Sequence, residues 1–428
     1  MKIESVAAYQ IYDSRGIPTI EVAVRLDNGA SGRGLAPSGA STGASEALEL
    51  RDRDPARFRG LGVDRAIANV NNEIAPALHG FDPTEQHRID AVLTALDGTP
   101  NRSRLGANAL VACSMAVAQA GAAARGVPLH AHLGDGNVLP MPQIQIVGGG
   151  AHAAGRTDLQ DFLIVPLAAG SYDDALKIVF DVHHAAVAMA RSQNRYSGVA
   201  DEGGLFPNFD GNVEILRFVT DAIQRAGYTP GRDVGIALDI AATEFWDAAS
   251  QRYVLKLDKQ TLTSREMIDW VIRQCETFAI VSIEDPLAED DWAHWPVLNE
   301  RLGTRVQIIG DDLFTTNAER IDRGIAEQSA NAVLIKLNQI GTVSETIAAI
   351  RQTQQAGWRA VVSARSGETE DAFIAHLAVG TNAGQIKVGS LTRGERTAKW
   401  NELIRIARQL GSTGRFAGDW RAAASSNR

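Results

Sequence analysis

Residues 280–336 read IVSIEDPLAEDDWAHWPVLNERLGTRVQIIGDDLFTTNAERIDRGIAEQSANAVLIK. Three short β-branched runs, IVSIE at Ile280–Glu284, VQIIGD at 306–311 and AVLIK at 332–336, are separated by polar segments of helical length. Apolar runs without strict alternation are the pattern of parallel strands buried on both faces. The grain continues on either side, with GIALD at Gly235–Asp239 before it and AVVS at 360–363 and QIK at 385–387 after it. Glu284 to Asp311 is 27 residues, Asp311 to Lys336 is 25, Lys336 to Arg365 is 29 and Arg365 to Lys387 is 22. Each interval is the length of one strand plus one crossover helix. The chain is expected to be α/β, built around a (β/α)8 TIM-like barrel.

Each run ends in a charged residue or is followed by one: Asp239, Glu284, Asp311, Lys336, Arg365 and Lys387. A single charge after a strand is commonly its exit to solvent. Six in register converge on the C-terminal face of a barrel, where chemistry is done. Three carboxylates from successive strands, Asp239, Glu284 and Asp311, make an oxygen-rich cage that suits Mg²⁺ better than zinc. A dication would also relieve the repulsion among them. The alternative is an internal ion network with Lys336 and Lys387. A lysine beside a dication has its ammonium form disfavoured, which makes Lys336 a general-base candidate. Base and dication together suit removal of a proton next to a carboxylate, where the metal offsets the charge of the enediolate.

The remainder of the chain bounds this reading. At 428 residues, 45% hydrophobic and 22% charged, it is globular and long enough for two or three domains. The net charge of −9 and the lack of a Lys/Arg block disfavour nucleic acid as a partner. Cys113 and Cys275 are too few for a disulfide framework and fit a reducing compartment. The start, MKIESVAAYQIYDSRG, has no apolar run behind a basic end, so a cytoplasmic protein is expected. The Ala-rich stretch 107–124 carries Asn108, Ser114 and Gln119 and reads as a buried helix, with no membrane partner. Residues 3–36 alternate apolar and polar around Asp27-Asn28-Gly29, which predicts a small antiparallel sheet with a hairpin. Ile67, Val70, Ile74 and Leu78 recur at helical spacing, so the first part is an α+β unit. The expected organisation is an N-terminal α+β capping domain over 1–135, a barrel over 136–415 and a tail over 416–428. Pro128 and the segment ending at Pro142 read as the linker.

Nearly the whole sequence resembles the enolase family. The resemblance is carried by DSRGIPTIEV at Asp13, PSGASTG at Pro37, EALELRD at Glu46, LDGT at Leu96, LGANA at Leu105 and DEGG at Asp201. It continues through SIEDPLAEDDW at Ser282, GDDLFTTN at Gly310, KLNQIGT at Lys336, RSGETED at Arg365 and GQIK at Gly384. It implies a capping domain on an enolase-type barrel whose first strands are antiparallel, two Mg²⁺ per active site, and a homodimer or octamer. Asp239, Glu284 and Asp311 match the family's metal ligands, Lys336 its base, and Glu202 the carboxylate that assists departure of the 3-hydroxyl. Lys387 matches the lysine at the substrate carboxylate, and Ser41, on a mobile lid at 37–43, a ligand of the second metal. Arg365 and Ser366 match contacts to the phosphate, and His152 and Gln160 match residues next to the substrate.

The pattern breaks at three places near the site. Family members read His-Arg-Ser where this chain has Ala364-Arg365-Ser366, Asn-Gly-Gly where it has Gly148-Gly149-Gly150, and Gln-Glu-Phe where it has Gln160-Asp161-Phe162. Ile17 and His376 are further departures, expected to affect packing or an interface. Trimmed side chains around intact metal, base and phosphate residues imply an enlarged pocket. The expected activity is dehydration of a 2-phosphoglycerate-type substrate, phosphorylated or phosphono, to an enolpyruvate. The substituent at phosphorus is expected to be altered, as in formation of carboxyphosphonoenolpyruvate in phosphonate natural-product biosynthesis. The alternatives are ordinary glycolytic dehydration of 2-phosphoglycerate and a non-catalytic enolase-fold binding protein. Sugar-acid dehydratases and racemases lack the PSGASTG lid.

Overall fold

A computed structural model describes residues 1–421. The barrel strands are, in chain order, Met141–Gly148, Asp161–Val165, Gly235–Asp239, Ile280–Glu284, Gln307–Gly310, Ala332–Ile335, Arg359–Ser363 and Gly384–Gly389, and they close on themselves. All six β-branched runs of the sequence are strands within one or two residues of the expected bounds. The first strand is not recognisable as such a run, because MPQIQIVG contains a proline and two glutamines, although every residue of it is buried; the second, DFLIV, is as apolar and buried as the others but lies outside the six expected runs. Pro142 therefore lies inside the first strand, opposite Ile386, and not in a linker. Near the start of a strand its missing N–H is tolerated.

The second strand runs against both of its neighbours, and all other adjacent pairs are parallel. The cause is the connection 149–160, whose only regular element is the short 3₁₀ turn Gly150–Ala153. A parallel return needs a long crossover, usually a helix. This reversal puts the start of the second strand at the same mouth where the others end. Asp161 pairs with both Gly148 and Asp239. Two helices, Tyr172–Ser192 and Asn212–Arg225, then follow together before the third strand.

Inside the barrel, Gln143, Gln307 and Gln385 satisfy one another, with Gln385 Oε1 accepting from both others at 3.0 Å and Gln307 also donating to Ser282. Below them Met141, Leu163, Val165, Leu167, Ala237 and Val281 form the floor. Phe416, Ala417 and Trp420 pack against that floor, and Arg415–Phe416 pairs with Val138–Leu139. The first residues of the segment set apart as a tail thus close the barrel base, while 422–428 lie outside the described residues.

The capping domain is the expected antiparallel sheet, Ile3–Tyr12, Pro18–Leu26 and Ser31–Leu35, with the hairpin turn at 27–30 and Gly29 at φ +85°. Val70, Ile74 and Leu78 are buried along a helical segment with one wide turn at Val70–Ile74. The Ala-rich helix Ala107–Arg125 is buried against the third strand. Its small side chains and two glycines of the strand let the backbones meet: a Cβ on Gly34 would stand 2.1 Å from the Ala112 carbonyl oxygen, and one on Gly32 2.3 Å from that of Ala116. Gly34→Ala must push helix and sheet apart, at a cost of about 1–3 kcal/mol. It is expected to lower the urea midpoint of unfolding; an unchanged midpoint would show that the contact yields freely.

Candidate active site

The barrel topology brings all six strand-end charges to one mouth. Lys387 stands at its centre, its ammonium 2.7 Å from Asp239, 2.8 Å from Glu284 and 3.4 Å from Asp161. Lys336 pairs with Asp311 and also lines the chamber. The internal ion network weighed from the sequence is therefore present. Burial, and then Asp239, push the Glu284 carboxyl well above its ordinary pKa despite Lys387. Burial opposes the charge on Lys387 too, but Asp239, Glu284 and Asp161 outweigh it and hold the ammonium well above its ordinary value. For Lys336 burial is again outweighed, by Asp311 and then Glu284 and Glu46, so its pKa is raised, not lowered. The expected depression needs a dication among these acids to reverse the local field.

The donor set fits such an ion. Asp239, Glu284 and Asp311 are at most 5% exposed, and Asp239 Oδ2 and both oxygens of Glu284 and of Asp311 face ammonium or amide N–H groups that a cation can replace. Gln160 Oε1 is a buried acceptor without a hydrogen-bond partner, and Asp161 Oδ2 has only the Lys387 ammonium at 3.4 Å. Asp285, Asp311 and Asp312 also bring carboxylate oxygens within 4.8 Å of one another. Burial drives Asp285 and Asp312 well above the carboxylate range. Asp285 accepts from the backbone N–H groups of Asp311 at 2.9 Å and Asp312 at 2.8 Å, and so fixes the loop that carries Asp311.

On the other wall the 149–160 connection presents His152 and Gln160. His152 Nδ1 is 2.9 Å from Asp161 Oδ1, and its Nε2 is 3.8 Å from Glu202. Asp161 Oδ1 also accepts from Gln145, whose other amide atom accepts from the Gly204 N–H at 2.8 Å. Burial disfavours the imidazolium, but Asp161 and Glu202 raise the His152 pKa to about 9. His152 in turn, with Lys387, holds Asp161 well below the usual carboxylate range against its burial. Gln160 donates to Asp239 at 3.1 Å.

The glycine-rich loop is seated on the mouth. Ser38 and Gly367 exchange both backbone hydrogen bonds at 2.8 Å, the Ala40 N–H donates to Ser366 Oγ at 2.6 Å, and the Ala44 N–H donates to Glu289 at 3.0 Å. Ser41 lines the chamber, and its carbonyl accepts from Arg365 Nη2 at 3.0 Å. Arg365 is also held by Glu46 and Asn338, neither given a role from sequence although both lie in quoted motifs. Fully buried Arg396 was missed as well. It donates to the carbonyls of Arg365, Ser366 and Val388, and so pins the backbone at Arg365 and Ser366.

With the loop seated, the free volume enclosed by Ser41, His152, Glu202, Lys336, Ala364, Arg365 and their neighbours is about 20 Å³, roughly the room for one water. The enlargement expected from the three trimmed side chains is not open volume here. A Cβ on Gly148 would lie 2.7 Å from Ala200 Cβ and 3.0 Å from Gln145 Oε1, so neighbours already occupy that space. Asp161 is drawn onto His152. Of the three trimmed positions, only Ala364 lines the chamber wall.

A barrel with one reversed strand thus carries a carboxylate and lysine cluster at its mouth beneath a glycine-rich loop from the capping domain, the layout of a barrel enzyme with its site at the strand ends. The family descriptions "Enolase, N-terminal domain" and "Enolase, C-terminal TIM barrel domain" match residues 3–133 and 136–425. Over 418 residues the sequence is 51% identical to "Enolase 1" of Desulfitobacterium hafniense (strain Y51), covering 97% of this chain and 95% of that protein. The chain belongs to the enolase family, and it is a hydro-lyase.

The His152 geometry has a direct readout. In protein freed of divalent cations by chelation, NMR titration of its ring protons is expected to place the midpoint near 9. Asp161→Asn removes the strongest partner that raises this value, so the midpoint should fall. A wild-type midpoint at or below 6.5, the ordinary histidine value, would contradict this arrangement.

Proposed function

We propose that this protein removes water from a glycerate bearing a phosphorus-linked oxygen at C2, giving an enolpyruvate, and that its preference at phosphorus differs from simple phosphate. The reading is carried by one observation: Lys336 and Glu202 face the same enclosed chamber, with Lys387, Arg365 and Ser366 on its walls. Lys336 takes the C2 proton as the free amine. Glu202, 3.8 Å from His152 Nε2, assists departure of the C3 hydroxyl, which takes up a proton and leaves as water. Lys387 orients the substrate carboxylate, and Arg365 and Ser366 hold the phosphorus group. Loop 37–43 excludes water when seated. Asp239, Glu284 and Asp311 would hold one Mg²⁺ and Ser41 would contribute to a second. Bound Mg²⁺ supplies positive charge that offsets charge building on the substrate carboxylate and lowers the pKa of neighbouring Lys336.

Ala364 supports the altered preference, because it stands in the chamber wall where relatives carry an imidazole. A second group on phosphorus, such as the carboxylate of a carboxyphosphono compound, would approach this wall. Ordinary 2-phosphoglycerate dehydration is the second reading, favoured by the 51% identity to a protein named Enolase 1. Steady-state turnover of 2-phosphoglycerate against analogues altered at phosphorus, followed by phosphorus NMR, separates the two.

Two substitutions test the roles. Lys336→Ala is expected to cut exchange of the C2 proton into deuterated water by about 10²–10⁴-fold or more. Exchange at the wild-type rate would remove Lys336 as the base. Ala364→His is expected to raise kcat/KM for 2-phosphoglycerate by about tenfold, a barrier change near 1.4 kcal/mol. No gain would mean that Ala364 does not set the preference.

A further inference from the structure

Glu46 lies just beyond the glycine-rich loop and is built into the site more firmly than any reading of the motif suggests. Its two carboxylate oxygens face the two terminal nitrogens of Arg365, Oε2 at 3.0 Å from Nη1 and Oε1 at 3.2 Å from Nη2. Both side chains of this pair are buried, 2% and 7% exposed. Oε1 also accepts from the Gly43 N–H at 3.1 Å, within the loop, and from Gln339 Nε2 at 3.2 Å. The same Gln339 nitrogen donates to Asp311 Oδ1 at 2.8 Å. Loop 37–43 closes the arrangement from above: Arg365 Nη2 donates to the Ser41 carbonyl, and a Cβ on Gly39 would stand 1.9 Å from that nitrogen.

A carboxylate that grips a guanidinium at both ends fixes its plane and cancels most of its charge. An anion reaching Arg365 therefore meets a preset orientation and a reduced positive field. We propose that Glu46 is the positioning and specificity residue for the phosphorus group: it orients Arg365 when the loop is seated and limits how much negative charge the site accepts at phosphorus. This rests on the reading that Arg365 contacts that group.

The test uses Glu46→Gln and Glu46→Asp in the full chain with excess Mg²⁺. Inorganic phosphate at pH 8 is titrated calorimetrically, and turnover is measured with 2-phosphoglycerate. Glu46→Gln removes the competing charge, so phosphate should bind at least threefold more tightly while kcat falls tenfold or more. Glu46→Asp keeps the charge and shortens the reach, so phosphate affinity should stay within twofold of wild type while kcat falls. Phosphate binding that is unchanged or weaker in Glu46→Gln overturns the proposal. If that variant does not fold, loss of phosphate binding in Glu46→Asp overturns it instead. Phosphate titration does not require turnover, so a wild type that binds phosphate yet dehydrates nothing counts against the dehydratase reading and leaves the Glu46 result readable.

Discussion

Acidic side chains crowded into a buried mouth are the constraint around which this molecule is arranged. Asp161, Asp239, Glu284 and Asp311 are each at most 5% exposed. Burial of like charges is tolerable only with countercharge at close range. The Lys387 ammonium, touching three of them, and Lys336 on the fourth provide it. The same balance makes the site receptive to a dication, because every carboxylate that loses a lysine regains a partner. It also raises the pKa of both lysines above the ordinary value while no such ion is present.

Around this cluster the supports are placed so that each chemical group is held from behind. Asp285 fixes the Asp311 loop by two backbone hydrogen bonds, Gln145 and Asp161 fix His152, and Arg396 fixes the backbone at Arg365 and Ser366. The glycine-rich loop adds the last wall. Its contacts reach Ser366, Arg365 and Glu289 at once, so seating the loop and positioning Arg365 and Ser366 are one event.

The capping domain serves the same end by a different kind of packing. An Ala-rich helix against strand glycines brings backbones together with little side-chain volume between them. That gives the loop rising from the third strand a rigid base from which to reach the barrel mouth. Arg15 extends the link: it is paired with Asp13 and donates to both Ser366 and the Ser38 carbonyl, so the turn between the first two capping strands touches the barrel mouth directly.

Six of the eight barrel strands and the acids and lysines at their ends were legible in the sequence, because a strand buried on both faces must be written in β-branched residues and its functional end in a charged one. The capping sheet and its hairpin were legible from alternation and from Asn28-Gly29. The first barrel strand was not, since Gln143 and Gln145 are satisfied by partners 242 and 16 residues away, and only those partners make polar residues acceptable inside a barrel; the second, DFLIV, carries the same apolar signal as the six, and its reversed direction is what the sequence pattern does not show. Nor could the sequence show that Glu46 claims Arg365 across 319 residues, that Gln145 and Ala200 fill the space left at Gly148, or that Asp161 turns to His152. Local pattern specifies what a segment buries and where it ends. Which charges meet, and how much room they leave, is decided when distant segments compete for the same few ångströms of barrel mouth.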